Sequence, residues 1–245
     1  PAEASGAGES ARAGRQKTRT FSMNQYPGVI GRKLGMTQVF SEDGTVVACT
    51  VVESKPIVVG KRTKDKDGYD ALILGPYARK EKHLVKPLAG FYKKQNVEPQ
   101  RNVRELRCSA EFAAGFEIGQ EVKLEQIFEE GQFVDVQGIS RGRGFTGVVR
   151  RHRFAGHVQT HGTHEYRRHG GSIGTRMTPG RVKLGQKMGG HTGAETFSVL
   201  SQRVVKIVPE ENLLLIRGGI PGSRDGIVIV RGAVKRLGGK PKPAK

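Results

Sequence analysis

The chain has 245 residues, with 42 Lys/Arg against 23 Asp/Glu and a formal net charge of +19. That balance restricts the partners more than the fold and points to a polyanion, while no apolar run approaches the ~20 residues needed to cross a bilayer. Two cysteines, Cys49 and Cys108, are too few and too far apart for a zinc ribbon or a disulfide framework, and read as buried free thiols.

Residues 1–27 are rich in Gly, Ala, Ser and Arg, with almost no large apolar side chain before Phe21, and are expected to form a flexible tail. Glu3 and Glu9 argue against an organellar transit peptide, which is acid-poor. Lys17 and Arg19 are candidates for phosphate contact, with a solvated tail as the alternative. From Gly28 the texture changes to short β-branched runs. GVIGRKLGMTQVF, TVVACTVVES, IVVGKRT and YDALILG are separated by Asp43-Gly44 and Asp67-Gly68 and predict a β-meander joined by Asp-Gly hairpins. Arg32 and Lys33, candidates for phosphate contact as well, lie between Gly31 and Gly35, where either a bulge or a close approach of the backbone to another surface is expected.

Residues 76–100 lose the alternation, and Pro87 to Gln95 predict a short helix with Pro at N1 and Leu88, Phe91 and Tyr92 on one face. Between Val97 and Asp135 nine acids face four bases, an acidic stretch expected to turn away from any polyanion. EVKLEQIF and FVDVQGIS read as strands. So do the runs within TFSVLSQRVVKIVPEENLLLIRGGIPGSRDGIVIVRG, with Pro209 to Asn212 as a hairpin loop and Gly219 to Gly226 as the next connection.

Between these strand groups lies Arg141 to Gly190, in which eleven Lys/Arg and five His face one acid, Glu165, and twelve residues are Gly. Its apolar residues follow neither period 2 nor 3.6, so it cannot bury enough surface to offset its ordering entropy and self-repulsion. A nucleic acid, with its dense phosphates, supplies what the segment lacks. The candidate contacts are Arg141, Arg143, Arg150, Arg151, His152, Arg153, His157, His161, His164, Arg167, Arg168, His169, Arg176, Arg181, Lys183 and Lys187. Arg150, Arg151 and Arg153 are expected on one short helix, guanidiniums outward, with Phe145, Val148 and Val149 docking.

Other chemistry fits poorly. Gly142 to Gly147 satisfies G-x-G-x-x-G, but no βαβ unit or second-strand acid follows. His157, His161, His164 and His169 have metal-like spacings, yet only Glu165 could complete a site among so many cations, so no metal is expected. No nucleophile with its base and no carboxylate pair is present in the basic segment, and no catalytic residue or cofactor is assigned. An enzyme, either a nicotinamide-cofactor protein or an RNA-modifying factor, is the second reading.

In combination, GVIGRKLGMTQVFSEDG, VDVQGISRGRGFTGVVRRHRF, HGTHEYRRHGGSIGTRMTPGRV, KLGQKMGGHTGAE and PEENLLLIRGGIPG resemble the bacterial form of large-subunit ribosomal protein L3, in order from about Gly28 to about Val234. The resemblance implies a mainly β protein: a translation-protein-type β-barrel with a small α/β insertion and a long irregular basic loop extension. On this chain that gives barrel parts at 28–75, 116–140 and 195–234, an insertion at 76–115, an rRNA-binding loop at 141–194 and a basic tail at 235–245. It further implies a cytoplasmic, ribosomal, non-catalytic protein that binds large-subunit rRNA and neighbouring large-subunit proteins, supports early assembly, and takes no membrane, small-molecule substrate or second copy of itself as partner. Gly174, Thr175, Arg176, Met177, Thr178, Pro179 and Gly180 would form the loop tip near the peptidyl-transferase centre. Many bacterial members carry a glutamine in this tip, N-methylated in some, where this chain has Met177, which cannot receive that modification.

Overall fold

A computed structural model describes residues 28–236, so Lys17, Arg19, the front tail and most of the last tail lie outside the described residues. In chain order the elements are β1 (Val29–Phe40), β2 (Val46–Glu53), β3 (Ile57–Arg62), α1 (Lys64–Asp67), β4 (Ala71–Gly75), β5 (Tyr77–Ala78), α2 (Lys86–Gln95), β6 (Gln100–Arg101), β7 (Arg104–Arg107) and α3 (Ala110–Ala114). There follow β8 (Phe133–Ile139), β9 (Phe145–Thr146), α4 (Val148–His152), β10 (Gly190–His191), β11 (Thr196–Val208), β12 (Leu213–Arg217) and β13 (Ile227–Gly232). The protein is mainly β.

Six strands pair in the cyclic order β1-β13-β8-β11-β12-β2, and β2 returns to β1, so the ring closes. All six pairings are antiparallel. Alternation sends Val52, Val134, Val136, Leu214, Ile216, Val228 and Val230 inward, each at most 1% exposed. Each such side chain stabilises the fold by about 1.5–3 kcal/mol. The β1–β2 hairpin turns at Ser41 to Thr45, where Gly44 takes φ +74° and the Ser41 amide donates to the Thr45 carbonyl at 2.9 Å. The β11–β12 hairpin turns at Pro209 to Asn212, as its sequence predicts.

The meander expectation fails after β2. β3 and β4 do not continue the barrel but form a separate sheet with β7, in the order β3-β4-β7, and the first barrel part therefore ends at Glu53 rather than at 75. The physical reason is written in β4: Ala71-Leu72-Ile73-Leu74-Gly75 is apolar without alternation and every residue is buried, as two-sided burial requires. Leu72 and Leu74 join the core shared with the barrel, whereas Ile73 packs with Val59 and Tyr92 on the opposite face. The β3–β4 connection is a helical turn, α1, closed by Gly68 at φ +80°, instead of a two-residue hairpin.

Two further corrections concern the insertion. α2 has Pro87 in its first turn and buries Tyr92 as expected, but Leu88 is 47% exposed because only the Phe91–Tyr92 side meets the sheet. EVKLEQIF is not a barrel strand. Apart from an Ile57–Glu121 bridge it forms a 3-10 turn at Leu124–Gln126, burying Val122, Leu124, Ile127 and Phe128 at spacings no strand could place on one side. The second barrel part is β8 alone.

Candidate nucleic-acid interface

The basic segment leaves the barrel from β8 and returns to it at β11, two adjacent strands. Its root is an extension of their ladder. Thr196 pairs with Ile139, the Ser140 amide donates to Glu195 at 2.8 Å, and the Arg143 amide donates to Thr192 at 2.9 Å. β9 then pairs with β10, and the Thr146 and Thr192 hydroxyls meet at 2.6 Å. Gly193, at φ +79°, lets the returning arm pass directly against the Arg141 carbonyl, where a Cβ would collide.

Beyond the root, packing nearly ceases. Of residues 141–190 only Thr146 is buried, and Phe145, Met177 and Leu184 are more than 80% exposed. What shape there is comes from local polar contacts: α4, a kinked 3-10 stretch from His161 to Arg168, a bond from the His157 amide to the Arg167 carbonyl at 3.0 Å, and turns around Ser172 and Thr175. Arg143, Arg150 and Arg168 converge with Phe145, Thr146, Gly147 and Val149 on a cleft of about 590 Å³. Every Arg and Lys named for this segment is exposed, as are His157, His161, His164 and His169, and the Tyr166 and His169 rings pack edge to face at 5.2 Å. The tip, Gly174 to Gly180, is exposed throughout.

Several assignments change. α4 holds Arg150, Arg151 and His152, with Arg153 as its left-handed cap. Arg151 does not point freely outward: its Nη1 donates to the Met188 carbonyl at 3.0 Å, and the His152 Nε2 lies 3.0 Å from the same oxygen, so both tie the outgoing arm to the returning one. Phe145, 81% exposed, does not dock.

Arg32 and Lys33 are engaged within the body. The close approach foreseen at Gly31 is to β2, since a Cβ there would meet the Glu53 carbonyl and Val52, and the bulge foreseen beside it falls between Lys33 and Gly35. Arg32 pairs with Glu53 at 2.7 Å, and the Lys33 Nζ donates to the Ile220 and Gly222 carbonyls at 2.9 and 3.2 Å. Burial, and then the charge of Arg141, hold the Lys33 amine below the usual lysine range. Tyr77 nearby is pushed up to about 12, chiefly by burial.

Among the described residues no three His, Cys, Asp or Glu gather where they could hold a metal ion. Gly142 to Gly147 starts no βαβ unit; its strand pairs with β10 alone. Cys49 and Cys108 are free and buried, and burial raises both thiols. No helix among the described residues is long and apolar enough to cross a membrane.

Residues 83–212 match the family described as Ribosomal protein L3. A protein of Sorangium cellulosum named large ribosomal subunit protein uL3 is 61% identical over 218 residues, covering 89% of this chain and 94% of its own. The chain belongs to the ribosomal protein L3 family. Proteins of the same printed name from Thioalkalivibrio sulfidiphilus and Brachyspira pilosicoli are 48% and 46% identical, covering 86% and 85% of this chain and 99% and 94% of their own. L3 proteins are structural and non-enzymatic, and the second reading, an enzyme, is set aside on that ground.

One group of residues escaped the sequence reading. Arg79, Lys80, His83 and Arg101 gather beside Asn102 on the insertion, because β5 pairs with β6. Arg101 lies in the stretch read as acidic, and a local charge count could not bring it to Arg79. The Tyr77–Ala78 and Gln100–Arg101 pairing, with the Arg79 amide donating to Pro99, makes the link, and two-residue strands leave no period to read.

Proposed function

We propose that the chain is a structural constituent of the bacterial large ribosomal subunit, working on the ribosome in the cytoplasm, and that the loop 141–194 binds large-subunit rRNA. The barrel, of the translation-protein type, seats on the subunit with its neighbouring proteins. The loop threads inward with Gly174 to Gly180 toward the peptidyl-transferase centre, and binding to rRNA early in assembly gives it its partner. Arg176 contacts phosphate at the tip.

The observation that carries this reading is the mismatch between the loop's charge and its packing. Fifty residues with a single buried side chain and eleven exposed cations gain little by folding alone. Phosphates supply compensating charge, and release of their counterions supplies the driving force.

With about six loop cations on phosphates, the log of the binding constant for large-subunit rRNA falls with log salt at a slope of about −4. Replacing Arg143, Arg150 and Arg168 with Gln makes that slope shallower by about 2 without lowering the melting midpoint. A flat salt dependence for the native protein removes the loop from the binding account. A lowered midpoint with unchanged binding gives those arginines a structural role instead.

A further inference from the structure

Two clefts, one on the insertion and one reaching the root of the loop, share a lining residue. The first, about 540 Å³, lies on the insertion and is lined by Ala78, Arg79, Lys80, His83, Arg101 and Asn102, with no acid. The second, about 770 Å³, runs between β7 and the barrel strands β8 and β13; Asn102 lines it as well, and its cations are Arg104, Arg141 and Arg231. Asn102 is thus the shared wall, and Arg141 with Gly142 puts the far end at the root of the basic loop. All six cationic side chains, and His83 with them, are exposed.

The one acid along this path is Glu105. Its carboxylate is already engaged, accepting from the Tyr69 hydroxyl at 2.6 Å and from Arg62 at 3.0 Å. The positive groups are held in place by the fold. Pairing of Tyr77 with Arg101 sets the two strands side by side, the Arg79 amide donates to Pro99 at 2.7 Å, and the Arg79 guanidinium donates to the His83 carbonyl at 2.8 Å. At the other end, the Lys33 amine is held by the Ile220 and Gly222 carbonyls, and after burial the charge of Arg141 lowers it further. A trench with spaced guanidiniums along it suits a chain of phosphates.

We infer that one RNA strand lies along both clefts, from the Arg79–Arg101 cluster past Asn102 and Arg104 to Arg141 at the loop's root. This rests on the RNA reading proposed above but concerns a different surface, on the insertion and the barrel wall. An extended peptide is the competing occupant, because among the described residues β7 pairs with β4 alone and no strand pairs with its other edge. The run of cations favours the polyanion.

The experiment uses the full chain and large-subunit rRNA transcribed in vitro. Arg79→Gln, Arg101→Gln and Arg104→Gln together are expected to make the slope of log K against log salt shallower by about 2. Because Arg79 also holds a turn, a second measurement uses the native protein: acylation of Lys80, read by mass spectrometry, slows several-fold when the RNA is added. An unchanged slope and an unprotected Lys80, with binding still lost on neutralising loop arginines, overturn the track and leave the loop reading standing. Native protein with no salt-dependent RNA binding overturns the loop reading itself. Protection of Lys80 only in assembled subunits, and not by RNA alone, assigns the groove to a neighbouring protein and also overturns the inference.

Discussion

Asp135 shows how much one polar side chain can hold in a barrel. It is 7% exposed, and its carboxylate accepts from the Ser201 amide at 2.7 Å and the Val234 amide at 3.1 Å. Ser201 sits at φ +54° in the irregular middle of β11, where the ladder to β8 is interrupted, so no strand partner satisfies that amide. Asp135→Ala strands two donors and is expected to cost about 2–4 kcal/mol, roughly 5–15 °C in the melting midpoint. Asp135→Asn keeps one acceptor oxygen and loses less; equal melts for the two variants would sink this account. Glu105 gives a pH signature. The Tyr69 hydroxyl first, and Arg62 after it, hold its carboxyl below the usual range against the opposing effect of desolvation. The unfolded chain therefore binds the proton more readily. The contribution is complete above the ordinary glutamate value of about 4.3 and is lost as pH falls through the depressed folded value. Urea midpoints measured across that window should fall less for Glu105→Gln than for the native protein, and parallel curves would refute the assignment. The effect is small, because the pair is largely exposed and screened.

At the scale of elements, the loop and its root behave differently. Between β9 and β10 the chain contributes no buried side chain, whereas the root is laddered from Ile139 to Thr146. Replacing residues 147–189 with a short glycine-rich turn should therefore leave the barrel intact. Shortening the closed segment to a few residues favours folding by up to about 2 kcal/mol. The expected melting midpoint is equal to the native one or higher, with the steep salt dependence of RNA binding reduced. A midpoint lowered by several degrees would mean that the loop supports the body. Much at this scale was legible from sequence: β1, β2, β8, β11, β12 and β13 are runs rich in β-branched and apolar residues, and their turns carry Gly44 and Asn212 where a positive φ is needed. The second sheet was less so. Leu72, Ile73 and Leu74 are apolar whichever sheet they join, and the barrel strand β12 is as continuously apolar, so the run alone does not tell which sheet takes it.

For the whole molecule, charge and fold are partitioned along the chain but regrouped in space. The concentration of Lys, Arg and His in 141–190 was visible because those residues are sequence neighbours, and so was their lack of a periodic apolar face. Three partnerships were not visible. Lys33 ends on the Ile220 and Gly222 carbonyls, Arg151 on the Met188 carbonyl, and Arg101 beside Arg79. Each joins residues whose distance depends on strand order, and strand order departs from chain order: β1 pairs with β13, and β8 with both β11 and β13. A count of charges along the chain therefore finds the loop and misses the groove.

The two arms of the loop leave the barrel wall side by side, and this governs how the molecule answers a mechanical load. Tension applied at the far end acts on the Thr146–Thr192, Arg143–Thr192 and Ser140–Glu195 contacts in succession rather than all together. Such a seam opens rung by rung, like a zip fastener, at far lower force than strands dragged lengthwise past each other. The root is thus a fuse: it yields to a pull on the loop before the six-stranded wall is disturbed.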